Sequence, residues 1–131
     1  MKWWIALLVI GSAGRAAAQQ PIDGNQLYEW GVAQEALDAK KNDASPYKAG
    51  MFAGFVAGVT NSHRGLKSLY PNDYPFALCI PEAATGNQIG AVVMKYLRAH
   101  PEQRQTAAAD LVWGALHEAW PCPEPDKTKS R

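Results

Sequence analysis

This sequence has little with which to do covalent chemistry. It holds two cysteines and three histidines, and it contains no Cys-x-x-Cys pair, no Gly-x-Ser-x-Gly elbow and no glycine-rich phosphate loop. His117-Glu118 opens like a zinc-protease motif, but the second histidine would fall at Pro121, so the motif is absent. The carboxylates Asp73, Glu82, Glu102 and Glu118 form no pair legible in sequence. No catalytic residue, metal or cofactor is expected, and the chain reads as a binding protein rather than an enzyme.

Charge of one sign is lacking too. Lys and Arg number 13 against 12 Asp and Glu, a formal net charge of +1. That balance gives no electrostatic case for nucleic acid, where affinity rests on neutralising phosphates. It gives none for a polybasic membrane patch either. Runs of alternating β-branched residues are missing, which argues against sheet. Beyond the first ten residues no long apolar run exists.

What is present begins at the N-terminus. Met1-Lys2 is a short positive region, Trp3 to Ile10 is apolar, and Ala16-Ala17-Ala18 supplies small residues for cleavage before Gln19. The apolar run falls short of the about 20 residues a membrane-spanning helix needs. Residues 1–18 are therefore expected to be a cleavable signal peptide, leaving no membrane segment. Residues 19–122 then form one domain, and 123–131 a polar tail. In an oxidising compartment Cys79 and Cys122 have one possible intramolecular pairing. Free thiols or a bridge to another chain are the alternatives.

The remainder reads as about four helices, an all-α bundle. Asp23-Gly24-Asn25-Gln26 resembles a capping box, and Leu27, Trp30, Ala33 and Leu37 recur at helical spacing, giving a helix over about 24–41. Ser45-Pro46 starts a second. In it Gly50, Gly54 and Gly58 stand four apart, and this bare face is expected to take a closely packed helix, in the core or at a dimer interface. Thr85-Gly86-Asn87-Gln88 caps a third, whose stripe is Ile89, Val92, Val93, Tyr96 and Leu97. Pro101-Glu102 restarts a fourth that runs to about Trp120, with Ala108, Leu111, Val112, Ala115, Leu116 and Ala119 on its buried face.

Asn61 to Leu78 is the least regular stretch. Pro71 and Pro75 exclude a continuous helix, and Asn72-Asp73 is turn chemistry. A long loop in a small domain is functional or disordered, and Tyr70, Tyr74 and Phe76 argue against disorder. Tyr70, Asn72, Asp73 and Tyr74 are the candidate partner-binding residues: the tyrosines offer large contact area at low entropy cost, and the Asn and Asp offer hydrogen bonds. The competing reading has the aromatics simply covering the core.

A set of short motifs now carries a resemblance. Cys79-Ile80-Pro81, Gln88-Ile89, Val92-Val93, Lys95-Tyr96-Leu97, His100-Pro101-Glu102 and Ala119-Trp120-Pro121-Cys122 resemble the Rap/Tai family. These are small periplasmic immunity proteins of bacterial type VI secretion. Gly54-Phe55-Val56-Ala57-Gly58-Val59 resembles the family's glycine-rich second helix, so the likeness spans roughly residues 50–122. Trp30 stands in a region where family members often carry another cysteine, and residues 61–78 match no particular member.

The resemblance implies a periplasmic all-α protein, often dimeric, that binds a cell-wall-cleaving amidase effector and blocks its active site. Two other classes compete. One is a periplasmic stress chaperone that opens in acid, against which stands the lack of a carboxylate cluster placed to trigger opening near about pH 3. The other is a structural dimerisation domain with no effector, using the small-residue face.

Overall fold

The computed structural model describes residues 21–71 and 78–123. They form four helices with no strand among them, α1 (Gly24–Asp38), α2 (Pro46–Leu69), α3 (Gly86–Ala99) and α4 (Ala108–Ala119), and Cys79 is bonded to Cys122. The all-α bundle with one intramolecular disulfide is thus what the chain adopts. The segment expected to be a signal peptide, and the tail beyond Pro123, lie outside the described residues.

Three helix starts follow the local chemistry. The Asp23 carboxylate accepts from the Gln26 amide at 2.9 Å, and the Ser45 hydroxyl accepts from the Lys48 amide at 3.4 Å. Thr85 and Gln88 exchange both bonds of a capping box, at 3.3 and 2.9 Å. Each satisfies an amide that the first turn leaves without a helical partner.

The ends differ from expectation in three places. Helix α1 stops at Asp38 rather than at 41, because Lys40 takes a left-handed φ of 54°. The amide of Lys41 bonds the Ala36 carbonyl and that of Lys40 the Leu37 carbonyl, both at 2.9 Å. This is a Schellman end with lysine in the position glycine usually fills. Helix α2 continues through residues 61–69, a stretch expected to be irregular, and stops only where Pro71 drives Tyr70 out of helical geometry, at φ −128° and ψ 64°.

The third correction concerns the segment after Pro101, which does not run on as one helix. Pro101–Gln103 is a single 3-10 turn, and α4 begins at Ala108. The intervening backbone bonds to the start of α1 instead. Gly24 donates to the Thr106 carbonyl (3.0 Å), Asn25 to that of Arg104 (3.0 Å), and Ala108 to that of Ile22 (2.8 Å). A second stitch holds the other end of α4, where the Cys79 amide donates to the Trp120 carbonyl at 3.1 Å beside the disulfide. Helix α4 is thereby fastened at both termini to segments distant in sequence.

The core gathers Leu27 and Trp30 of α1, Phe52 and Val56 of α2, Ile89, Val93, Met94 and Leu97 of α3, and Leu111, Val112 and Leu116 of α4. Burying each large side chain contributes about 1.5–3 kcal/mol. Two glycines admit close neighbours, backbone at Gly24 and the Met94 side chain at Gly31. A Cβ on Gly24 would lie 2.8 Å from the Arg104 carbonyl oxygen, and one on Gly31 would lie 2.0 Å from the Met94 sulfur. Leu37 and Ala119, expected on buried faces, are exposed.

Candidate functional site

Helices α1, α2 and α3 do not close completely on one another. Between them lies a groove of about 400 Å³. Its floor is Phe52, Val56, Ile89 and Met94, all buried. The space exists because its walls are small: Gly31, Ala53, Ala57, Gly90 and Ala91 carry little or no side chain to fill it. Phe52 reaches across this gap, so a Cβ on Gly90 would sit 3.2 Å from its ring.

The rim is polar. Gln34, Glu35 and Asp38 line it from α1, Asn61 and Arg64 from α2, and Asn87 from α3. Gln34 donates from Nε2 to the Asp38 carboxylate at 2.9 Å. Glu35 accepts a hydrogen bond and ion pair from the Arg98 guanidinium, both partners half-exposed, and this bond raises the Arg98 pKa above its ordinary value. Thr60, buried against the groove, is satisfied internally by donating to the Val56 carbonyl at 2.8 Å.

Chemically this arrangement can bind. An apolar floor, small walls and a rim of amides and charges are the ordinary makings of a recognition groove. Among the described residues no group of three His, Cys, Asp or Glu could hold a metal ion. Both cysteines are consumed in the disulfide.

The residues singled out from the sequence fare differently. Cys79 and Cys122 come together as expected. Tyr70 ends α2 with 55% of its surface exposed, so it does not cover the described core. Asn72, Asp73 and Tyr74 lie outside the described residues. Gly50, Gly54 and Gly58 are exposed, and a Cβ at any of them would meet nothing within 4 Å. No described helix of the chain packs there. The core-packing expectation for that face is corrected: α2 turns Ala49, Phe52, Val56, Thr60 and His63 inward instead.

Sequence reasoning missed two features. One is the groove, whose only trace was the run of alanines beside the glycines. The other is His63, which stood within a stretch expected to be loop. It is 3% exposed, with Nε2 3.4 Å from the Leu78 carbonyl oxygen. His117 is exposed, and His100 caps the end of α3 with Glu102 and Glu118 at 3.5 and 3.8 Å.

The described residues form a small helical bundle closed by a disulfide, and its open, polar-rimmed groove offers a surface for binding. Compared with known families, the sequence matches the Rap1a immunity proteins over residues 23–122, nearly all of the described fold. The chain belongs to this immunity protein family. No curated protein and no solved structure gives a significant match. No described helix is long and apolar enough to cross a membrane.

Proposed function

We propose that this chain is exported to the periplasm and there binds and neutralises a peptidoglycan amidase delivered by type VI secretion, occluding its active site. The observation that carries the reading is the family match across residues 23–122. Membership supplies the immunity role and a protein partner. The amidase target rests on the resemblance of the Cys-Ile-Pro, His-Pro-Glu and Trp-Pro-Cys motifs.

The compartment has its own support. A Cys79–Cys122 disulfide persists where thiols are not kept reduced, and residues 1–18 read as an export signal. Blocking an active site needs surface complementarity, which an apolar floor with a polar rim can supply.

The test is a pull-down of residues 19–131 from periplasmic extract under secretion-active conditions, followed by a peptidoglycan-cleavage assay. A stoichiometric amidase whose activity the chain abolishes supports the reading. A catch lacking any cell-wall hydrolase overturns it. Clients captured only in acid would instead favour a stress chaperone.

One observation favours an additional self-association. The open face of Gly50, Gly54 and Gly58 suits a second copy of α2 approaching at short distance. Sedimentation of the wild type and of Gly54→Leu checks it: a dimer lost in the variant without unfolding is the expected outcome.

A further inference from the structure

We propose that the groove between α2 and α3 receives a helix of the effector, lying along α2 with its N-terminus over Asp38 and its C-terminus over Arg64. This rests on the immunity reading above and specifies the surface it uses.

Length and shape come first. Arg64 stands twelve residues beyond Phe52 on α2, roughly 18 Å at the helical rise, so the groove matches about three turns of a partner helix. Ala53, Ala57 and Ala91 on its walls are exposed and small, so a helix backbone can come close above Phe52 and Met94. An amphipathic helix laying apolar residues at i, i+3, i+4 and i+7 into such a floor is a common recognition mode.

Charge sets the direction. Asp38 is the last residue of α1 and Glu35 lies one turn before it, both at the negative pole of that helix, where acids are disfavoured. Glu35 is occupied by Arg98, whereas among the described residues Asp38 accepts one hydrogen bond, from Gln34. The opposite end carries Arg64 and the N-terminal turn of α3 at Gly86 and Asn87, both positive. A docked helix placing its positive N-terminus at Asp38 and its negative C-terminus at Arg64 is complementary to both ends, and the reverse orientation opposes both.

The test uses two stapled fourteen-residue Ala/Leu helical peptides, one with Lys in its first turn and Glu in its last, the other with these exchanged. Isotope-labelled chain, residues 19–131, reports binding through its amide resonances. The first peptide is expected to move Ala57, Gly90 and Met94, with the second at least fivefold weaker. A spin label on the N-terminus of the first peptide is expected to broaden amides beside Asp38, and in the double swap Asp38→Lys with Arg64→Glu, where that peptide turns end for end, to broaden those beside Arg64 instead. Binding with no polarity, or no movement of groove amides, overturns the proposal.

A parallel arm separates this proposal from the functional reading. Ala57→Trp fills the groove mouth at an exposed position, and Tyr47→Ala, away from the groove, is its control. An amidase captured by the wild type and Tyr47→Ala but lost at least tenfold in Ala57→Trp, with melting unchanged, supports the docking site. Equal capture by all three overturns the groove and leaves the immunity reading intact. Peptide binding of the expected polarity without any captured amidase keeps the helix-receiving groove and overturns the amidase reading. Groove amides that shift with the chain's own concentration, alongside a dimer that Ala57→Trp dissociates, assign the groove to a second copy and overturn the effector assignment.

Discussion

The imidazole of His63 stands edge-on to the indole of Trp113, with ring centroids 5.0 Å apart and the planes at 88°. Its Nε2 lies 3.4 Å from the Leu78 carbonyl oxygen, so this one side chain joins α2 to α4 and to the residue preceding Cys79. Burial lowers its pKa below 6.5, assisted by the charges of Lys67 and Arg64, while the hydrogen bond to Leu78 partly opposes the shift. A buried histidine held neutral makes folding depend on pH.

The sign follows from where the protons go. Above the unfolded value of 6.5 neither state is protonated and the stabilisation is complete. As pH falls past that point the unfolded chain takes up a proton that the folded chain refuses, and stability is lost down through the lowered folded value. Urea midpoints of the wild type are expected to drop between about pH 7.5 and 5, and those of His63→Gln to drop less. Parallel pH profiles would show that His63 is not the titrating group.

The disulfide joins cysteines 43 positions apart in sequence. In the chain-entropy account this constrains the unfolded state by about 4 kcal/mol, a large share of the about 5–15 kcal/mol a domain possesses. Cys79→Ser with Cys122→Ser is expected to remove most of that, read as a lower urea midpoint with a steeper slope, because the unfolded chain without the cross-link exposes more surface. The second stitch, Cys79 amide to Trp120 carbonyl, survives the change only if the fold does.

Glycines in this chain fall into two kinds, and alanine distinguishes them. At Gly54 the new methyl meets nothing, so Gly54→Ala is expected to stabilise the monomer by about 0.5–1 kcal/mol through helix propensity. At Gly24 it meets backbone of Arg104 at 2.8 Å, which cannot move without breaking the Asn25–Arg104 hydrogen bond. Gly24→Ala is expected to cost about 1–3 kcal/mol. Thermal melts of both variants at low protein concentration check the pair.

Tyr70 is more than half exposed, and its removal takes little from the core. Tyr70→Ala is expected to change stability by less than about 0.5 kcal/mol. Affinity for a captured partner is the second readout. Loss of affinity at constant stability assigns Tyr70 to the interface, whereas a large fall in stability would return it to a packing role.

Much of the architecture was legible because it is decided within four residues. Asp23, Ser45 and Thr85 fix where helices start through side-chain bonds to amides three positions on. The stripes Ile89–Val93–Leu97 and Leu111–Val112–Leu116 are buried as their spacing implies. Helix α2 runs on into the stretch expected to be irregular because Pro71, which excludes a continuous helix there, restricts only the residue just before it, and nothing from Asn61 to Leu69 removes a helical donor.

The sequence by itself determined the starts of α1, α2 and α3, the core stripes and the single available disulfide pairing, since each depends on local sterics, on spacing, or on there being two cysteines. Tertiary structure decided the rest. The break at residues 104–107 exists because the start of α1 takes up its carbonyls, a demand no neighbouring residue announces. Whether Gly50, Gly54 and Gly58 face the core or solvent depended on which side of α2 met α1, and the larger apolar residues Phe52 and Val56 won that side. The groove and the burial of His63 have the same origin: both are made by faces from separate helices, and only their meeting defines them.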